Sequence, residues 1–420
     1  MKVVFINTND NGGGAAIACR RLHTAIEKYT PVTGTILVQD KNTLENGIET
    51  VADTPWKKRF SWLRFVAERL IFLPFERSKK IRFAFNPGVV GIDISHHKLI
   101  QEADLIHIHW INFGYLSTDS LQKLFALKKP VVWTFHDMWT FTGGCHHSGE
   151  CDHYQEECGN CKFIRNSAPS DFSHQRWLAK QKAYQHHPFS AVTCSHWLGN
   201  RASQAKLLNG FSINTIPNPI DTDLFRPIPK KEARQKLNLP TDKELILFAA
   251  MRVGAAGKGF SFFQEALELL IQRRPNAYDE IELIVFGMAG EKLLEGLPLR
   301  THQLGHISDP EKIVHAYCAG SMFVTPSLEE NLPNTIMEAF ACGTPAVGFT
   351  IGGIPEMIGH QHNGYLANYR SAKSIADGIE WIIENNQDGS VSINARNKAL
   401  SDYQEAVVAK QYYELYQSLI

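Results

Sequence analysis

Short apolar runs alternating with helical stretches constrain this chain more than any other feature. Val3-Val4-Phe5-Ile6 is the kind of run shown by a strand buried on both faces. Gly12-Gly13-Gly14 follows, and residues 15–27 then carry apolar residues at helical spacing. The alternation returns at Leu105-Ile106-His107-Ile108-His109, Val131-Val132-Trp133-Thr134-Phe135 and Ala191-Val192-Thr193-Cys194. An open parallel sheet covered by helices on both faces is the arrangement such a pattern predicts. At Ile216-Pro217-Asn218-Pro219-Ile220-Asp221, two prolines in three residues oppose helix and favour an extended connector. The alternation then restarts with Leu245-Ile246-Leu247-Phe248-Ala249, Ile281-Glu282-Leu283-Ile284-Val285-Phe286, Met322-Phe323-Val324 and Pro345-Ala346-Val347-Gly348. Two α/β domains of similar size are expected, with a boundary near residues 215–225.

Composition supports a folded chain and excludes several classes. At 420 residues the sequence is long enough for two or three cores. It is 44% hydrophobic and 20% charged, which argues against a disordered chain, a coiled coil or a collagen-like repeat. Lys plus Arg (43) balances Asp plus Glu (43), so no global charge points to nucleic acid. No apolar run approaches the roughly 18 residues of a spanning helix. MKVVFINTND lacks the long apolar stretch and cleavage site of a secretory signal, so a cytoplasmic protein is expected.

Between Trp56 and Arg82, nine basic residues and two acids are interleaved with Phe60, Trp62, Leu63, Phe65, Leu70, Ile71, Phe72 and Leu73. A basic helix with an aromatic-rich face can lie at a membrane interface, or it can bury that face in its own domain. Segment 56–82 is therefore a candidate peripheral contact with the inner face of the plasma membrane.

Four of the eight cysteines, Cys145, Cys151, Cys158 and Cys161, fall within 17 residues in the polar loop 143–162. Cys158-Gly159-Asn160-Cys161 is a C-x2-C knuckle, and the other two could complete a closed tetrahedral thiolate site for structural zinc. His146, His147 and His153 are substitute ligands, and free thiols or one disulfide are the competing readings.

The densest chemistry lies in SLEENLPNTIMEAFACGTPAVGFTIGGIPEMI, residues 327–358. Pro333 disfavours helix before it and suits a first turn, so a helix is expected to begin at Pro333-Asn334. Glu330 then precedes that helix and Glu338 lies inside it. A helix start offers unpaired N–H groups to a phosphate, and a carboxylate on either side could accept hydrogen bonds from sugar hydroxyls. Capping and surface charge are the plain alternatives for two such glutamates.

The spacing E-x7-E, followed by AFACGTPAVG and GGIPE, resembles the donor-site signature of the retaining glycosyltransferases of family 4, a GT-B fold. Asn218-Pro219-Ile220-Asp221-Thr222-Asp223-Leu224-Phe225 resembles that family's entry to its second domain. LGHISDPEKIVHAYCAGSMFVTPS resembles its next βα units, and Asn363-Gly364-Tyr365-Leu366 a further turn. Gly12-Gly13-Gly14 and TFHDMW stand where the family has its glycine loop and sugar-proximal histidine. The likeness runs over most of residues 1–385 and is patchier between 30 and 100. It implies two Rossmann-like domains facing a cleft: 1–217 binding the acceptor and 218–400 the nucleotide sugar. Residues 401–420 would form a helix crossing back to the first domain.

The resemblance also implies roles. Arg252 and Lys258 would grip the donor diphosphate, the first as a rigid fork and the second as a point charge. Glu338 would bind the ribose, and Glu330 would lie near the transferred sugar. Gly13, Gly14, Asn331, Leu332, Asn334 and Thr335 would line the donor site. His136 would approach the reacting centre, giving His136, Glu330, Arg252 and Lys258 as the catalytic candidates. His109 and Asp137 are candidates for the acceptor-cleft wall, although Asp137 can equally cap the next segment and His136 can be a core histidine. His107 and His109, alternating on a strand, would also suit a metal pair. A UDP- or GDP-sugar donor, a glycan or polyprenyl-linked acceptor and no catalytic metal are implied. Asn331-Leu332-Pro333 departs from the Phe-Gly pair of many relatives, which puts the donor-sugar contacts in question. A nucleotide-sugar epimerase of the same fold, or a non-catalytic zinc-stabilised scaffold, are the alternatives.

Overall fold

The computed structural model describes residues 1–185, 187–288 and 290–420. The chain divides into unit 1, Met1–Pro217 with Val408–Ile420, and unit 2, Asn218–Val407.

Unit 1 is built on seven parallel strands: β1 (Lys2–Asn9), β2 (Thr33–Asp40), β3 (Ile48–Thr50), β4 (Leu105–Ile108), β5 (Val131–Phe135), β6 (Ser190–Thr193) and β7 (Ile213–Thr215). Their order is β3-β2-β1-β4-β5-β6-β7. Val3, Val4, Phe5 and Ile6 of β1 are all at most 2% exposed, because helices cover both faces of the sheet. Burying each contributes about 1.5–3 kcal/mol. The final helix, Glu405–Gln417, lays Val408, Ala409, Tyr412 and Tyr416 into the same core as Phe5, Leu105, Val132 and Val192.

Unit 2 has six parallel strands: β8 (Glu244–Arg252), β9 (Ile281–Met288), β10 (Thr301–Gly305), β11 (Met322–Thr325), β12 (Ala346–Phe349) and β13 (Gly364–Ala367). They run in the order β10-β9-β8-β11-β12-β13. The apolar runs read as strands are strands in both units. Gly364–Ala367, read as a turn, is instead an edge strand paired with β12. β2 carries the run Ile36-Leu37-Val38, which the strand reading omits; β3 and β7 have only three residues each, and β10, THQLG, is a largely polar edge strand.

Strand order reverses between β1 and β4 in unit 1 and between β8 and β11 in unit 2. The loops leaving the carboxyl ends of strands at such a reversal form the crevice where open α/β sheets hold ligands. In unit 1 these loops carry Gly12–Gly14 and His109; in unit 2 they carry Lys258 and Glu330.

Candidate functional site

In unit 2 three loops are locked together by backbone. The loop after β8 folds through the short turn Ala256–Lys258 into Gly259, whose φ is 64°. A Cβ there would lie 1.8 Å from the carbonyl oxygen of Pro326 in the loop after β11. Leu328 N–H donates to the Gly257 carbonyl at 2.8 Å, tying the same two loops. Gly352, after β12, has φ 59°, and a Cβ would stand 1.7 Å from the Glu330 carbonyl oxygen. The next N–H, of Gly353, donates to the Asn331 carbonyl at 2.9 Å. The glycine of GGIPE is thus required by close approach of two chains, and that approach fixes Glu330.

The side chains follow from this frame. Lys258 Nζ donates to Glu330 Oε1 at 2.5 Å, with the lysine 38% and the glutamate 15% exposed. Arg252 ends β8 and is exposed. The helix after Pro333 spans Asn334–Ala341, and its N-cap residue, a proline, makes no side-chain cap bond. Asn331 and Leu332 are buried before it, while Asn334 and Thr335 are half-buried in its first turn. Asn218 Nδ2 donates to Asn334 Oδ1 at 3.3 Å. Glu338, one turn in, is buried and accepts from the Tyr317 hydroxyl through Oε2 at 2.9 Å. Tyr317 was not singled out in the sequence. Its signal was a tyrosine inside the helix Pro310–Ala319, and nothing local shows which residue its hydroxyl meets.

Unit 1 gathers histidines instead. His107, His109 and His136 share one side of the sheet: ring centroids lie 4.3 Å apart for the first pair and 5.2 Å for the second. His109 Nδ1 and His136 Nε2 share a hydrogen bond of 2.9 Å. His107 bonds Tyr416 OH at 2.7 Å and Thr134 Oγ1 at 2.8 Å, and Thr134 in turn meets Tyr412 OH at 2.9 Å. His107 is fully buried and His109 is 3% exposed, so both rings are packed inside unit 1. Burial holds His136 down at about 4 and pushes His107 and His109 well below the usual histidine range. All three are neutral near pH 7.

Asp137, next in sequence, accepts from the Trp139 N–H at 2.8 Å, the cap expected of it. It also accepts from Trp110 Nε1 at 2.9 Å and pairs with His146 Nδ1 at 2.8 Å. Burial raises its carboxyl, but the charge and hydrogen bond of His146 and the Trp139 N–H outweigh that and hold it below the usual range. His146, considered as a substitute zinc ligand, thus turns its Nδ1 to Asp137. Gly13 has φ 140° and precedes the helix Gly14–Tyr29, whose first turn carries no acid.

The expected zinc site is not preassembled. Among the described residues no three His, Cys, Asp or Glu side chains gather as a group able to hold a metal ion. Cys145, Cys151, Cys158 and Cys161 are free thiols and ring a small cavity instead. The pair His107 and His109 is likewise no metal site; His107 is taken up by Tyr416 and Thr134.

Residues 243–385 match the family described as Glycosyl transferases group 1. Unit 2 carries a glycosyl transferase group 1 domain. With that domain in place, the relatives are consistent. The teichuronic acid biosynthesis glycosyltransferase TuaC of Bacillus subtilis, itself named as putative, is 31% identical over 180 residues, 42% of this chain and 43% of that protein. A Campylobacter jejuni N,N'-diacetylbacillosaminyl-diphospho-undecaprenol alpha-1,3-N-acetylgalactosaminyltransferase is 29% identical over 212 residues, 48% of this chain and 53% of that protein. The chain thus spans about half the length, or less, of the curated relatives it matches. Anabaena HepE, solved with UDP, shares the fold over the whole of both chains with a TM-score of 0.65 at 18% identity. WaaG, a glycosyltransferase involved in lipopolysaccharide biosynthesis, aligns over 98% of this chain and 99% of its own with a TM-score of 0.61 at 14% identity. The fold outside the group 1 domain is therefore also that of the GT-B glycosyltransferases, two Rossmann-like units in one chain.

Proposed function

We propose that this chain is a retaining glycosyltransferase that moves a hexose or related sugar from a nucleotide-diphosphate sugar to a growing glycan, the acceptor being lipid-linked. The observation that carries the reading is the Lys258–Glu330 ion pair at the strand-order reversal of the group 1 domain, with Glu330 in the loop that leads into helix Asn334–Ala341. The leaving diphosphate needs negative charge neutralised as the sugar–oxygen bond breaks. Lys258, Arg252 and the helix N–H groups supply that stabilisation from fixed positions. Glu338, oriented by Tyr317, receives the ribose hydroxyls. Glu330 aligns Lys258 and lies toward the sugar, with Asn331, Leu332, Asn334 and Thr335 around the donor. His136, backed by His109, and Asp137 serve the sugar and acceptor side. HepE with UDP and UDP-glucose supports a nucleotide-sugar donor, and the undecaprenol-linked substrate in the Campylobacter relative's name supports the acceptor.

The reading includes docking on the inner leaflet. Helix Pro55–Phe72 buries Ser61, Glu68 and Phe72 inward, and Glu68 accepts the N–H groups of Gly88 (2.6 Å) and Val90 (2.7 Å). Its outward side leaves Trp56, Phe60, Trp62 and Leu70 at 58–67% exposure. The buried side answers to the expectation of packing in its own domain, and the exposed aromatic side supports the reading of a membrane contact. No helix among the described residues is long and apolar enough to cross a membrane. Shallow insertion of that apolar face, with Lys58, Arg59, Lys79 and Lys80 on anionic headgroups, fits the geometry. Co-sedimentation with vesicles containing anionic lipid is expected to fall when these four are changed to Ser; undiminished binding overturns this part.

Calorimetry of the full chain against UDP-, GDP-, ADP- and dTDP-sugars tests the donor site. Saturable binding of one donor is expected, weakened about 10- to 100-fold by Lys258→Ala, as loss of a charged hydrogen-bond partner predicts, and also reduced by Glu338→Ala. Absence of binding by the folded chain to all four overturns the reading.

A further inference from the structure

The loop 143–162 has almost no regular structure: one short 3-10 turn at His153–Gln155 and an isolated bridge from Phe85 to Cys145. Yet Cys145, Cys158 and Cys161 are buried at its centre, with Cys151 half-buried beside them. All four cysteines are among the residues that line one cavity of about 20 Å³. That is room for a single water-sized occupant, but a buried water needs two to four good polar partners, and thiols are weak ones. A dry void at that position would leave the atoms that line it without contacts on one side.

The backbone is shaped for the sulfurs. Within Cys158-Gly159-Asn160-Cys161, Asn160 is left-handed at φ 47°, and a Cβ on Gly159 would meet the Pro169 carbonyl oxygen at 2.2 Å. Gly143 N–H donates to Cys158 Sγ at 3.0 Å, the kind of contact that supports a thiolate. His174 Nδ1 bonds the Cys158 carbonyl at 2.9 Å, and the Cys161 N–H donates to Asp171 Oδ2 at 2.8 Å, so the knuckle is held from outside. The buried Lys180 side chain, whose Nζ donates to the Thr142 carbonyl at 2.9 Å, lies close to Cys158 and Cys145.

We propose that Cys145, Cys151, Cys158 and Cys161 close around one zinc ion, which orders the loop between residues 143 and 162. Each thiol gives up its proton on binding, the four thiolates contract into the cavity, and no position stays open for water. The site is structural and independent of the donor chemistry in unit 2.

The test is metal analysis of the full chain purified without chelator, together with cobalt exchange. About one zinc per folded chain is expected, and cobalt in its place should show the intense near-ultraviolet thiolate-to-metal absorption of a tetrahedral sulfur site. The double variant Cys158→Ser/Cys161→Ser should lose both signals, and Cys19→Ser should keep them. Well under one zinc per folded wild-type chain, or disulfides among these four cysteines by mass spectrometry, overturns the proposal; so does retention of the metal by the double variant. Where that variant does not fold, the wild-type zinc content and cobalt spectrum decide by themselves.

Discussion

At matching places in matching topologies, the two units treat ionisable side chains in opposite ways. Unit 1 sets His109, buried, and His136, half-buried, in the neighbouring loops after β4 and β5, both uncharged near pH 7. Unit 2 sets Lys258 and Glu330 beside its strand-order reversal, as an ion pair open to solvent on the lysine side. Desolvation makes the difference: burial favours the uncharged form of the rings, whereas Lys258 keeps water on one side and a carboxylate at 2.5 Å on the other. Unit 2 is thus equipped to meet a charged group, and unit 1 to present neutral donors and acceptors.

Glycines offer the strongest way to break this comparison. Gly352→Ala drives a Cβ into the Glu330 carbonyl at a left-handed φ, and is expected to cost about 3 kcal/mol and to loosen donor binding. Gly12→Ala in unit 1, at φ 86° with nothing within 4 Å, is expected to cost only about 1–2 kcal/mol, the backbone term alone. Urea titrations of the two variants check this; equal costs would mean that the approach of the loops after β11 and β12 is not what holds Glu330.

Acidification comes next. His136 is held at about 4 in the folded chain against 6.5 for an ordinary histidine, so between those values the unfolded chain binds more protons. Its stabilising contribution is complete above pH 6.5 and is lost as pH falls toward 4, about 2 kcal/mol of it between pH 7 and 5. His107 and His109 shift in the same direction. Denaturation at pH 7 and 5 should show the loss shrinking in His136→Gln; an identical pH dependence would mean that the ring is not held neutral.

The smallest effect concerns Tyr317→Phe. It removes the donor to Glu338 Oε2 and is expected to cost about 1 kcal/mol, with a few-fold weaker nucleotide-sugar affinity. Unchanged affinity would show that Glu338 does not need Tyr317 to hold its place.

Much of this was legible in the chain itself. Apolar runs located most of the strands, because a strand buried on both faces needs side chains without polar atoms. Pro333 marked the start of the helix at Asn334, because its ring fixes φ and removes a donor. The paired glutamates and GGIPE named Glu330, Glu338 and Gly352, and the structure sets Gly352 against the Glu330 carbonyl. The sequence could not show that Gly352 faces the Glu330 carbonyl, that Tyr317 holds Glu338, or that His146 serves Asp137. Those contacts join residues from 9 to 22 positions apart through loops and helices whose path depends on the whole sheet. Periodicity reports which side chains avoid water, a local property of each segment. Which polar atoms then meet inside is decided only when strand order brings separate loops to one edge, and there burial sets the charge that each of them carries.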